Sequence, residues 1–282
     1  MSQRPTPAKV RSQTPPLGES AWLTAHKIRI KAKIYHSAKR IDQGSLIVVI
    51  HGDLLEANVQ PTYHYQFARK ATETNNNVTA AALLRPGYTD GDGDQSTGRK
   101  GLATGDNYTP EVVDAIADAV GELQARFQPT VTVMVGHSGG AAIVGDLLGR
   151  RPSQINGALL VSCPCDVPLW RRYMLKAQFG KVGPFSLLFL VPVNSLSPID
   201  FVSKVSPSVR VRMIVGSQDS TAPARFTQEY ARALQGHDVD TTVTVGEGLG
   251  HNILLEGIVF DQLTKLLAET TRAAGASRDF HR

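Results

Sequence analysis

The feature that most constrains the fold is the run Val131-Thr132-Val133-Met134-Val135, which passes directly into Gly136-His137-Ser138-Gly139-Gly140 and then Ala141-Ala142. An apolar, β-branched run reads as a strand, and the small residues after it read as a helix start. Between them stands G-x-S-x-G. Strand, sharp turn and helix form the context in which this short pattern points to a nucleophile. The reason is crowding. A serine held on a strained turn leaves no room for bulk two residues before or after it, and Gly136 and Gly140 stand there. Ser138 would then project above the sheet edge. The N–H of Gly139 would open the helix, where donors lack intrahelical partners and the dipole favours an anion. That is half of an oxyanion hole.

The rest of the chain repeats the strand and helix rhythm. Ile28 to Tyr35 alternates apolar and polar residues, as a half-buried strand does in an antiparallel hairpin at a sheet edge. Ser45 to Ile50, Val78 to Leu84, Ile155 to Ser162, Val211 to Val215 and Thr241 to Val245 read as further strands. Helices are expected over Gln60 to Thr72, from Thr109-Pro110-Glu111 to Phe127, from the serine turn to near Gly149, over Arg225 to Leu234, and over Ile258 to Thr271. This alternation implies an α/β fold with a doubly wound, mostly parallel sheet. Asp166 to Pro207 breaks the rhythm with aromatic, leucine and proline residues, and its position suits a small cap at 166–207. An apolar cap would bind an acyl or aromatic group and exclude water. Trp170 and Phe185 from the cap, and Tyr88 from the loop Arg85-Pro86-Gly87-Tyr88, are the candidate substrate contacts.

A chain of 282 residues can bury a large core, and one domain over 21–272 is the economical reading. Met1 to Ser20 is polar, carries several prolines and lacks the apolar core of a signal peptide, so it reads as a mobile leader. Residues 273–282 read as a mobile tail. The net charge of +5 is dispersed, with no basic stripe interleaved with aromatics, so nucleic-acid binding is not indicated. No apolar run approaches membrane-span length; the best, Leu187 to Val193, is short and carries Pro192. The two cysteines, Cys163 and Cys165, are poorly placed for an unstrained disulfide if they lie at a strand end. They are expected as reduced thiols in a cytoplasmic, reducing compartment. With no further Cys or His nearby they do not complete a zinc set. Asp90-Gly91-Asp92-Gly93-Asp94 starts like a calcium loop but fails at Gln95 and Gly101, where glycine and a bidentate glutamate are required. A solvated acidic loop is expected instead.

A serine hydroxyl at neutral pH needs a base within hydrogen-bond reach and a third group to fix the imidazole. Of the eight histidines, His26, His36, His237 and His281 fall in edge, surface or tail contexts. His137 adjoins the serine and points elsewhere, His51 follows a different strand and could pin its loop, and His64 lies on a helix. His251 alone follows the last strand, in the glycine-rich loop Gly246-Glu247-Gly248-Leu249-Gly250. Asp219 follows the penultimate strand in a tight loop, giving the order Ser138, Asp219, His251 expected for this architecture. Asp166, at the end of the strand after the nucleophile, is the alternative acid. His51-Gly52-Asp53-Leu54 ends another central strand, on the side where ligands of open α/β sheets bind. Asp53 or Leu54 could supply the second oxyanion N–H.

On these motifs the sequence resembles the α/β-hydrolase-fold serine hydrolases over roughly Ile28 to Leu267. The stretch from Ser197-Pro198-Ile199-Asp200 through Asp219 to His251 is similar to the catalytic domain of prolyl-oligopeptidase-like enzymes and dienelactone-hydrolase relatives. There is no room for the N-terminal propeller of the former. The resemblance implies two-step acyl transfer with no metal and no organic cofactor. Ser138 would be the nucleophile, His251 the base and Asp219 its orienting acid. A small-molecule carboxylic ester is the expected substrate. Acyl-peptide or amide hydrolysis, and a non-catalytic binding role on the same scaffold, are the alternatives.

Overall fold

A computed structural model describes residues 18–25, 27–39, 43–54, 61–101, 107–191 and 193–279. The chain runs β1 (Glu19–Ala25), β2 (Ile28–His36), β3 (Ser45–Ile50), α1 (Tyr63–Thr74), β4 (Val78–Leu83), α2 (Pro110–Phe127), β5 (Val131–His137), α3 (Gly139–Arg150) and β6 (Gly157–Val161). It continues with α4 (Val167–Val182), two 3-10 stretches (Gly183–Leu190 and Pro198–Lys204), β7 (Arg210–Gly216), α5 (Ala224–Gln235), β8 (Asp240–Gly246) and α6 (Gly257–Asp279).

The eight strands form one sheet in the order β1-β2-β4-β3-β5-β6-β7-β8. β1 with β2 and β2 with β4 pair antiparallel, and all other pairs are parallel. This is the doubly wound, mostly parallel sheet expected. Both faces are covered, which is why the central strands read as continuous apolar runs. Leu46, Val48 and Ile50 of β3 pack in one cluster with Ile116 and Val120 of α2, Leu147 of α3 and Leu234 of α5. Ile47 and Val49 face the other way, with Phe67 of α1 and Leu263 of α6. The rings of Phe67 and Phe260 stack there at 4.7 Å. Thr109 caps α2 by accepting from the Val112 N–H, with proline in the first turn as the sequence indicates.

Four sequence expectations change. β1 was not anticipated, and its first residues fall where a mobile leader was expected; residues 1–17 of that leader, and 280–282 of the tail, lie outside the described residues. The strand hides in the sequence because only Leu23 and Ala25 of its seven residues are buried. α6 runs on to Asp279 rather than ending near Thr271. Cys163 and Cys165 are joined by a disulfide. β6 ends at Val161, so both cysteines sit on irregular backbone with Cα atoms 5.2 Å apart, within bridging range. Finally, the acidic loop is not simply solvated. Asp90 is buried, accepts from the Tyr65 hydroxyl at 2.9 Å and from the N–H groups of Asp92 and Asp94 at 3.0 and 3.1 Å. Asp92 and Asp94 form ion pairs with Lys33 and Lys31 of β2. Among the described residues no cluster of His, Cys, Asp or Glu could hold a metal ion. No described helix is long and apolar enough to cross a membrane.

Candidate active site

Ser138 stands between β5 and α3 with φ 52° and ψ −122°, a conformation that L residues rarely adopt. Close packing enforces the turn. A Cβ on Gly136 would lie 2.5 Å from Ala141 Cα, and one on Gly140 would collide with the carbonyl oxygens of Ile50 and His51. Both glycines therefore let α3 approach the sheet. The Gly139 N–H lies in the first turn of α3, where N–H groups have no intrahelical acceptor.

The parallel sheet delivers the other two groups to the same edge. Asp219 follows β7 and His251 follows β8. The two loops are laced together by Ser217 N–H donating to Gly246 O (2.9 Å) and Gln218 N–H donating to Leu249 O (2.9 Å). His251 Nε2 is 2.9 Å from Ser138 Oγ, and its Nδ1 is 3.0 and 2.9 Å from the two carboxylate oxygens of Asp219. With the proton on Nδ1, donated to Asp219, Nε2 offers a lone pair to the serine hydroxyl. Asp219 Oδ1 also accepts from the N–H groups of Thr221 and Ala222 at 2.9 and 2.8 Å. Burial pushes its pKa up. The His251 bond and charge, the Ala222 N–H and the Ser162 hydroxyl outweigh that and hold it below the usual carboxylate value. Asp166 is employed elsewhere, accepting from Leu169 N–H at 2.9 Å as the N-cap of α4.

The loop after β3 is fixed by the side chains of His51, Arg85 and Tyr108. His51 Nδ1 donates to the Gly52 carbonyl (2.7 Å) and Nε2 accepts from Arg85 N–H (3.0 Å). Burial, then the neighbouring His64 and Arg85, drive its pKa well below the ordinary imidazole value, so it is neutral. Its expected pinning role is what the geometry shows. Arg85 is buried and places Nη1 2.7 Å from Asp53 Oδ1. Tyr108 donates to Asp53 Oδ2 at 2.5 Å. Any side chain at Gly139 would run into this carboxylate and the Tyr108 hydroxyl, so the network abuts the Ser138 turn.

A second bridge crosses the site. The Gly52 N–H donates to the Tyr63 hydroxyl (2.6 Å), which donates to His137 Nδ1 (3.0 Å), and His137 Nε2 donates to the His251 carbonyl (3.0 Å). Ser162, at φ 53° after β6, donates to the same carbonyl at 3.1 Å. Burial, then the nearby His251, lower the His137 pKa to about 4, so this imidazole is neutral too.

Of the three candidate substrate contacts, two are buried and one is exposed. Tyr88 is buried, edge-on to His51 and hydrogen-bonded to the backbone of Leu54; burial, partly offset by Arg85, raises its pKa to about 12. Trp170 is buried and donates from Nε1 to Thr221 O at 2.9 Å, bracing the Asp219 loop from α4. Tyr173 donates to Ser220 O (2.8 Å) for the same purpose. Phe185 is 74% exposed on the first 3-10 stretch. The segment after β6 thus braces the loop carrying Asp219, and it also meets Tyr108, whose N–H donates to Ser195 Oγ at 3.2 Å.

Residues 47–206 match the family model of the alpha/beta hydrolase family. A comparison with curated proteins finds no match. Among solved structures, the chain is similar to Est1E from Butyrivibrio proteoclasticus at 15% identity and a TM-score of 0.62, over 90% of this chain and 98% of that one. It is also similar to the Pyrococcus furiosus esterase Pf2001, at 13% identity and a TM-score of 0.66, over 89% and 90% of the two chains. The Pyrococcus horikoshii acylaminoacyl peptidase matches at 12% identity and a TM-score of 0.65, over 89% of this chain and 40% of that one. At such identities the likeness concerns the fold.

Proposed function

We propose that this chain, which belongs to the alpha/beta hydrolase family, is a serine hydrolase that cleaves carboxylic esters of small molecules. One observation carries the reading: the unbroken line from Ser138 Oγ through His251 to Asp219, with both links at 2.9 Å. A hydroxyl facing an imidazole lone pair, whose other nitrogen is held by a low-pKa carboxylate, is an activated nucleophile.

In the proposed mechanism Ser138 Oγ attacks the ester carbonyl carbon while its proton passes to His251 Nε2. Asp219 holds the imidazole and stabilises its charged form. The N–H groups of Gly139 and of the loop after β3 bind the oxyanion, each worth about 3 kcal/mol in the transition state. The Leu54 backbone is engaged by Tyr88, which favours Asp53 as the second donor. The tetrahedral intermediate collapses, and the alcohol leaves with the proton from His251. Water then attacks the acyl-serine, giving its proton to His251, and the carboxylic acid departs as Ser138 regains its hydrogen. Over one turnover Ser138 and His251 return to their starting protonation states, and the water consumed supplies the hydrogen that leaves with the alcohol.

An ester is favoured over an amide because the Pyrococcus furiosus esterase matches along 90% of its length, whereas the peptidase matches over 40% of its chain. The cytoplasmic location expected from the sequence rested on free Cys163 and Cys165 and is not carried forward. The test is hydrolysis of a series of p-nitrophenyl esters beside p-nitroanilides of the same acyl groups. The reading expects higher kcat/KM on the esters and loss of turnover in Ser138→Ala with an unchanged circular dichroism spectrum. Higher kcat/KM on the anilides would select the amide reading. Full ester turnover by Ser138→Ala would contradict both.

A further inference from the structure

We propose that the tip of the cap docks on an anionic lipid surface. Large apolar side chains are normally scattered singly over a protein surface, and a contiguous exposed patch marks an interaction site. Among the described residues, seven of the eleven exposed large apolar side chains fall between Phe179 and Val191. Phe179 is 57% exposed, Phe185 74% and Leu190 60%, with Leu187, Leu188 and Val191 exposed beside them. They are held out rather than loosely hung. Buried Arg171 donates from Nη2 to the carbonyls of Leu188 (3.1 Å) and Val191 (2.7 Å), tying the first 3-10 stretch to α4. Trp170 packs edge-on against Phe189 beneath them.

Charge identifies the partner. From Val167 to Ile199 the sequence carries Arg171, Arg172, Lys176 and Lys181 and no Asp or Glu. Arg172, Lys176 and Lys181 are exposed. Arg172, Lys176 and Phe179 follow i, i+4, i+7 spacing, so two cations and an exposed aromatic share one face of α4. Apolar side chains flanked by cations with no anion among them match a lipid interface: rings and leucines enter the headgroup boundary while ammonium and guanidinium groups meet anionic headgroups. A second copy of this chain fits poorly, because two-fold apposition would set these cations against their own copies. Docking would hold the cap, and the loop it braces at Asp219, beside lipid-dissolved esters.

The test is co-sedimentation of the full chain with vesicles of phosphatidylcholine alone and of phosphatidylcholine mixed with phosphatidylglycerol. It reads binding rather than turnover, so its failure is separate from failure of the esterase reading. Sedimentation with the mixed vesicles, weakened by salt, is expected. Each exposed cation exchanged for glutamate (Arg172→Glu, Lys176→Glu, Lys181→Glu) should lower partitioning at least about five-fold. Phe185→Ser with Leu190→Ser should lower it at least roughly ten-fold, and all these exposed changes leave the fold to be verified by thermal melting. Equal sedimentation with the neutral vesicles, none with either, or unchanged binding by the variants would overturn the proposal. So would a concentration-dependent dimer that Phe185→Ser dissolves in the absence of lipid.

Discussion

The Tyr63 hydroxyl lies 3.0 Å from Nδ1 of His137, and through this pair the loop carrying Gly52 is tied to the loop carrying His251. Neither residue lies in the Ser138, His251 and Asp219 line. Both act on it through the backbone, as positioning groups. His137 can do so only as a neutral ring that accepts at Nδ1 and donates at Nε2, and burial keeps it neutral.

Removing the bridge should therefore cost rate more than affinity. Tyr63→Phe removes the hydroxyl without changing the ring. An expected fall in kcat of roughly ten-fold or more, with KM little changed, corresponds to a displaced transition-state donor rather than lost ground-state binding. Steady-state kinetics on one ester decides it. A rise in KM at constant kcat would assign Tyr63 to substrate binding instead.

The two candidate acids separate cleanly. Asp219→Asn should lower kcat by about ten-thousand-fold, because the amide favours the wrong imidazole tautomer. Asp166→Asn keeps an N-cap acceptor on α4 and should leave turnover within about two-fold. The reverse ranking in steady-state rates would move the acid to Asp166.

The Arg85 and Asp53 pair is buried on one side and nearly so on the other, with side-chain exposures of 1% and 11%. Arg85→Met should destabilise the fold by about 3–5 kcal/mol by leaving the carboxylate without its cation. Adding Asp53→Asn should recover part of that loss. Urea midpoints of the two single variants and the double variant measure it, and strictly additive losses would contradict the pairing.

Acid should weaken the protein from mildly acidic pH downward. Burial lowers His137 to about 4 and His64, also pressed by Lys33, to about 3, and it drives His51 well below the ordinary value. At these three positions the unfolded chain, with histidines near about 6.5, binds more protons than the native one below that value, and buried Asp146, held well above the ordinary carboxylate value, offsets only one of them. Stability is thus fully present above pH about 6.5 and falls as pH drops toward about 4, by up to ~1.4 kcal/mol per pH unit for each histidine. The lowered Asp219 removes stability only below about pH 3.9, where unfolded carboxylates protonate. Urea midpoints across this range should show the slope, and His64→Leu should flatten it. A midpoint unchanged between pH about 7 and 4 would contradict the neutral, buried assignment.

The sheet was legible where burial on both faces writes nearly continuous apolar runs, as in β3, β5 and β6. β1 was not, because an edge strand with two buried residues leaves almost no apolar pattern. Ser138, Asp219 and His251 could be read because each follows a strand end in a parallel sheet, and such ends converge at one edge. Tyr63, Tyr108 and the Arg85 side chain could not. Their hydroxyls and guanidinium meet Gly52, His137 and Asp53 only once the chain is folded, and nothing in their local spacing marks them. Tyr88 and Trp170 are buried beside the loops after β3 and β7, and an aromatic in sequence does not say whether it faces a substrate or braces the wall. The cysteine pair was misread because its geometry depends on where β6 stops.

The measurement that bears most directly on the central claim is peptide-level mass after treatment with a fluorophosphonate. Such a reagent needs both an activated hydroxyl and donors for the developing phosphoryl oxygen. The account predicts one adduct, on the peptide containing Ser138, abolished by His251→Ala. A folded protein that takes up no label, or takes it at another serine, would contradict it.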